Sequence, residues 1–152
     1  MNELSVMGRA STDGGVEIFN SGVNGVGAVV VPGSALCYSV TASDGRTFVL
    51  PDAAATVNNF MMFAGVCVDT LGTGSFTARI RRYGTCTALV SGGASVVPGA
   101  HLGMVTGTPA FTAFTLGQFV LSMLSAQTRR LTSLGTVTAG QGFIGVKAFI
   151  EY

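Results

Sequence analysis

A seven-residue phrase occurs twice in this chain, as Val30-Val31-Pro32-Gly33-Ser34-Ala35-Leu36 and again as Val96-Val97-Pro98-Gly99-Ala100-His101-Leu102. Each copy follows a glycine-rich stretch, Asn24-Gly25-Val26-Gly27 in the first and Ser91-Gly92-Gly93 in the second, and each leads into a hydrophobic run. A phrase repeated in the same context predicts one β-turn-β unit used twice, with half-repeats of about 23–89 and 90–152.

The punctuation between the copies is that of strands. Turn signals stand at Asn24-Gly25, Pro32-Gly33, Asp44-Gly45, Gly72-Thr73-Gly74, Ser91-Gly92-Gly93, Pro98-Gly99 and Gly107-Thr108-Pro109, and short alternating runs lie between them. Leu36, Tyr38 and Val40 are expected on one face and Cys37, Ser39 and Thr41 on the other, with Asp44-Gly45 closing a hairpin to Arg46–Leu50. Phe60–Val68 is almost wholly apolar, as a central strand covered on both faces should be. Gly84 is expected to bend the strand that begins at Ser75, and in the last strand Ile144, Val146, Ala148 and Ile150 form the apolar face. Asp52–Ala55 reads as one helical turn, and Phe119–Leu131 is the single stretch that fits a helix in part, though its serines and flanking glycines favour strand and loop. The expected fold is all-β, a compact barrel or sandwich over residues 23–152, with residues 1–22 an extended N-terminal arm carrying the short strand Val16-Glu17-Ile18-Phe19.

Composition narrows function. Only 10% of residues are charged, against about 25% in an ordinary soluble domain, and the formal net charge is +1. There is no broad field with which to collect nucleic acid or anionic lipid. No apolar run approaches the roughly 18 residues that span a bilayer, and the N-terminus has no basic region followed by an apolar one, so synthesis in a cytoplasm is expected. A surface this short of charge is expected to be covered in part by copies of the chain or by a larger assembly.

Groups for chemistry are scarce. His101 is the one histidine, it replaces Ala35 of the first copy, and no G-x-S-x-G elbow accompanies it, so a surface or interface role is the better reading. Asp44, Asp52 and Asp69 stand beside turns, outside any calcium-loop pattern. Cys37, Cys67 and Cys86 are odd in number and widely spaced in apolar runs, as buried reduced thiols would be. The chain is therefore expected to be no enzyme and to use no metal or cofactor. The one dense charge cluster is Arg79, Arg81 and Arg82 beside Tyr83, and two readings fit it: solvated protection of a sheet edge, or a grip on a partner's carboxylates, which guanidinium pairs in bidentate fashion. With Ile18 and Phe19 of the arm, these residues are the candidate partner contacts; Arg129-Arg130 reads as loop.

The Val-x-Pro-Gly phrases, the Phe63-Ala64-Gly65-Val66-Cys67-Val68 strand, Thr73-Gly74, Ala78-Arg79-Ile80-Arg81 and the closing Gly142-Phe143-Ile144-Gly145-Val146-Lys147 together resemble phage head decoration proteins, also called capsid cement or stabilising proteins. The resemblance covers roughly residues 23–105 and, more weakly, the end; the second Val-Pro-Gly unit and the Phe60-Met61-Met62 run depart from the family's pattern. It implies a chain without enzymatic activity, bound to the major capsid protein on the outside of an assembled shell, often as trimers. The competing expectation is a β-sandwich adhesin or carbohydrate-binding module of a virion, against which stands the lack of any Trp. A hydrolase on a β-barrel is the third.

Overall fold

The two Val-Pro-Gly phrases fold as two copies of one turn. Ser34 N donates to Val31 O at 3.3 Å and Ala100 N to Val97 O at 3.1 Å, with Gly33 at φ +88° and Gly99 at +85°. Proline before a glycine of positive φ is the type II arrangement. In this computed structural model, which describes residues 9–10, 16–20, 22–52, 59, 62–74, 79–92, 96–113 and 129–150, the chain is all-β. Its strands are β1 (Arg9–Ala10), β2 (Val16–Asn20), β3 (Val23–Asn24), β4 (Ala35–Tyr38), β5 (Thr47–Val49), β6 (Phe63–Cys67), β7 (Ile80–Ser91), β8 (Leu102–Gly103), β9 (Thr112–Ala113), β10 (Arg129–Ser133) and β11 (Gln141–Ile150). Nine belong to one mixed sheet, while β8 and β9 pair separately. The sheet does not close into a barrel. The turn expected at Asp52–Ala55 and the ambiguous stretch Phe119–Leu131 lie largely outside the described residues, and the loop expected at Arg129-Arg130 is corrected, because these two residues begin β10 and pair with Ile150 and Phe149.

The duplication reaches far beyond the phrase. Val30 and Leu71 exchange two backbone hydrogen bonds of 2.9 Å, and so do Val96 and Val137; Gly33 N donates to Cys67 O and Gly99 N to Ser133 O, both at 2.8 Å; Val68 N donates to Arg79 O and Leu134 N to Gly145 O, both at 2.9 Å. Ala35 pairs with Val66 as His101 bridges Thr132, and Cys67 with Ile80 as Ser133 with Val146. Even the short side-chain bonds correspond, from Cys67 Sγ to Asp69 O and from Ser133 Oγ to Gly135 O. In every case the second residue stands 66 positions after the first, 30 to 96 and 80 to 146 alike. The pairings β5–β4–β6–β7 thus recur as β9–β8–β10–β11. The β7–β11 ladder joins the units and sets Tyr83 opposite Phe149, its own counterpart. The correspondence lapses in the hairpins, where Cys37 meets Val49 but Gly103 meets Thr112.

Apolar residues gather on both sides of β4 and β6. Ala35, Cys37, Phe63 and Val66 join Ala88, Val90, Phe111, Ile144 and Val146 in the larger core, while Leu36, Ala64 and Cys67 join Val30, Phe48, Leu71 and Ile80 in the smaller. β6 is buried along its whole length, as expected of the central strand. For β4 the expected half-buried alternation is corrected: Leu36 and Cys37 do face opposite ways, but both faces are covered. β7 runs unbroken through Gly84, at φ +97°, and carries Ile80 into one core and Ala88 and Val90 into the other.

The paired turns invite a direct comparison. Alanine at Gly99 meets only the cost of positive φ, about 1–2 kcal/mol, because a Cβ there touches nothing within 4 Å. At Gly33 the added carbon would also stand 2.8 Å from Leu89 N and 3.2 Å from Ala88 C. Urea unfolding of Gly33→Ala and Gly99→Ala is expected to show the larger loss for Gly33→Ala; equal losses would contradict this close approach.

Candidate functional site

Five of the six residues singled out from the sequence come together on one ladder, and Arg79 immediately precedes it. β2 runs antiparallel to β7, with Ile18 opposite Tyr83, Phe19 opposite Arg81 and Asn20 opposite Ile80. Between the first two pairs the register shifts, so that Arg82 is the extra residue on β7. A bulge of this kind re-aims the side chains around it. Over the same stretch β6 also pairs with β7, through Val66 to Arg81 and Cys67 to Ile80. The reading of the arginines as edge protection is therefore corrected: this part of β7 has a strand on each side, and the outermost strand on the β2 side is β1, which pairs only with β2. The strand expected to act as an arm is paired within its own chain.

The arginines differ in what they face. Arg79 is exposed and closes the β6–β7 hairpin onto Asp69, with Nε 2.8 Å from Oδ2 and Nη2 2.7 Å from Oδ1. These bonds hold the Asp69 carboxyl below its ordinary range and push the Arg79 guanidinium up. An exposed pair of this kind contributes under about 1 kcal/mol, so its effect is to orient the hairpin more than to hold it. Its fork is directed at a carboxylate of its own chain. Arg81 is half-buried and folds back along β7, where Nη1 donates to Thr85 O. Arg82 and Tyr83 are half-buried as well. The side chains of Ile18 and Phe19 lie outside the described residues.

The remaining polar groups have local duties. Asp44 accepts from Arg46 N, Thr47 N and Thr47 Oγ1 at 2.9, 2.9 and 2.7 Å, which brings its pKa down to about 2 and shapes the β4–β5 turn. Cys37 and Cys67 are buried thiols and Cys86 a half-buried one. Burial pushes Cys67 up to about 11, so it stays a thiol. His101 is exposed at a position whose counterpart, Ala35, is fully buried. Among the described residues no group of three His, Cys, Asp or Glu is placed to hold a metal ion.

Sequence reasoning passed over the large apolar side chains left at the surface, of which Phe143 and Leu134 are 60% and 51% exposed. Alternation in the last strand places Phe143 on the face opposite Ile144 and Val146, but nothing in the strand itself marks that face as left open. The signal lay in a comparison of the two repeats position by position, which the short phrase alone does not prompt. No known family model matches this chain, and no curated protein matches it.

Proposed function

We propose that this chain is a structural protein of a phage head, bound to the major capsid protein on the outer surface of the assembled shell and stabilising contacts between its subunits. The observation that carries the reading is the duplicated body with its two equivalent exposed turns. Val31 and Val97, 41% and 50% exposed, precede exposed prolines in both copies. Neither the core nor the turn geometry requires an exposed valine at that position. Two like apolar knobs on one rigid β-body suit a partner that itself repeats, since two weak contacts at fixed spacing reinforce one another. Scarce charge supports the same reading: such a surface is better suited to an assembly than to a dispersed monomer.

The test is quantitative mass spectrometry of purified particles, followed by heating of decorated and bare shells. A near-stoichiometric count of this chain per major shell protein, and later genome release from decorated shells, are the expected results. Absence from the particles, or equal release from both kinds, would sink the proposal. A carbohydrate-binding module of a virion is the second reading, and the exposed ring of Phe143 favours it, since sugar faces stack on aromatic rings. Binding to a glycan array that is lost in Phe143→Ala would select it.

A further inference from the structure

The same row of four residues crosses four strands in each unit. In the first, Ala35 of β4 pairs with Val66 of β6, Val66 with Arg81 of β7, and Arg81 with Phe19 of β2. In the second, His101 bridges Thr132 of β10, Thr132 pairs with Lys147 of β11, and Lys147 with Thr85 of β7. Each member of the second row stands 66 positions after its counterpart. Backbone register alone makes both rows continuous from strand to strand. Ala35 and Val66 are fully buried, and with Cys37 and Phe63 they join Val96, Leu102 and Phe111 of the second unit in the larger core. The first row is thus the face on which the second unit packs.

The second row lies on the other side of its strands. Leu102, Leu131, Val146 and Cys86 belong to the larger core or pack against it, so alternation puts their neighbours His101, Thr132, Lys147 and Thr85 on the outer face. Two residues along in one direction, Arg130 pairs with Phe149 and Phe149 with Tyr83. In the other direction Leu134 N donates to Gly145 O, Gly145 pairs with Thr87, and Phe143 follows opposite Leu89. An end unit needs only polar groups on its outer face to stop further packing. This face carries the one lysine and the one histidine of the chain together with Arg130. Among the described residues no Asp or Glu stands on it, Glu151 lying outside them. His101 and Lys147 are two strand spacings apart, about 10 Å, and the exposed Phe143 and Leu134 adjoin them. The Val-Pro-Gly turns stand at the two ends of the face: Gly33 O accepts from Leu89 N at the β7 end, and the second turn runs directly into His101 at the other.

We infer that this face, centred on Lys147 with Arg130 and His101 around it, binds an acidic segment of the shell protein between the two turns. The partner comes from the head-protein reading, on which this rests; its chemistry comes from the charge on the face. Cations with no acid beside them attract a surface of opposite sign. They also repel the same face of a second copy, because in a two-fold pairing a patch meets its own image. A chain of net charge +1 has no wider field of the kind that gathers nucleic acid. Guanidinium and ammonium groups at Arg130 and Lys147 suit carboxylates, and Phe143 and Leu134 supply the apolar surface that an interface places beside its charges.

Attachment of the full chain to purified bare shells, followed by cosedimentation across a salt series, tests it. Wild-type affinity is expected to fall steeply between about 0.05 and 0.5 M salt, as screening shortens the reach of charge. Lys147→Glu and Arg130→Glu are each expected to weaken attachment by about 30-fold or more, since a reversed charge turns attraction into repulsion. Arg46→Glu makes the same change in net charge on the exposed β4–β5 loop and should attach like the wild type. Melting curves that match the wild type would show that all three variants fold. A wild type that does not attach at all would sink the head-protein reading, and this inference with it. Attachment that ignores salt and survives both Lys147→Glu and Arg130→Glu would overturn the inference alone. Binding of a single-stranded DNA oligonucleotide that is lost in Lys147→Glu, while shell attachment is kept, would also overturn it and assign the face to nucleic acid.

Discussion

Replacing Gly65 with alanine is expected to cost about 3 kcal/mol or more, a large share of the 5–15 kcal/mol that holds an ordinary domain folded. Gly65 lies in the middle of β6 at φ +141°, where a side chain is strained whatever the space around it. There is also no space. A Cβ would fall on the carbonyl oxygen of Arg81 and 2.8 Å from Ile80 Cγ2, and the first of these is backbone that a rotamer change cannot move aside. The strain serves the packing. Leu36 pairs with Gly65 but Cys37 with Phe63, so Ala64 is an extra residue in the β4–β6 ladder. This bulge shifts the alternation by one, which puts Phe63 and Val66 in one core and Ala64 and Cys67 in the other. Without it Phe63 would share a face with Cys67, and Ala64 with Val66, and one face of the strand would be mismatched to its core. Denaturant unfolding of Gly65→Ala measures the effect; a loss within 1 kcal/mol, by order of magnitude, would mean that no such bulge exists.

Phe111→Ala is expected to destabilise by about 3–5 kcal/mol, the usual cost of emptying a buried phenylalanine site. The residue is 1% exposed and packs edge-on against Phe63, with centroids 5.8 Å apart and planes at 81°. Its backbone accepts from Ser91 N at 2.7 Å and donates to Leu89 O at 2.9 Å. A segment of the second unit is thereby tied to β7, and the ring fills the core where the two units meet. Because those backbone bonds survive the substitution, the loss measures packing alone. Phe111→Leu keeps most of the volume and should cost about 1.5 kcal/mol or less. Phe143→Ala, the same change at an exposed site, should stay within about 0.5 kcal/mol. Equal losses at Phe111 and Phe143 in parallel denaturation curves would contradict the burial described above.

Much of the strand plan was legible because local chemistry decides it. Pro-Gly and Asp-Gly pairs dictate turns from within four residues, and Asp44 satisfies the β4–β5 turn with its own carboxylate. A run as apolar as Phe63–Cys67 has nowhere to go but the interior. The repeated phrase announced two related units for the same reason, since each copy must rebuild one turn and bury one valine and one leucine.

The candidate site was legible as composition and not as geometry. Arginines at 79, 81 and 82 are plain to see, but only folding brings Asp69 across the hairpin to Arg79 and sets β2 beside Arg81 and Tyr83. Backbone pairing carries little side-chain signature, so nothing in Val16–Phe19 names its partner strand.

By itself, then, the sequence determined the all-β class, the positions of the turns, the central strand and the existence of a repeat, all of them consequences of interactions between residues close along the chain. Tertiary structure decided how far the repeat extends, which register each ladder takes, and which apolar residues stay outside. Cys67 and Ser133, or Leu71 and Val137, are equivalent because their backbones bond alike, and main-chain hydrogen bonds place few demands on side-chain identity. Alternation along β11 already separates Ile144 from Phe143, but only the pairing of β11 with β7 and β10 and the packing of the core leave the Phe143 side uncovered.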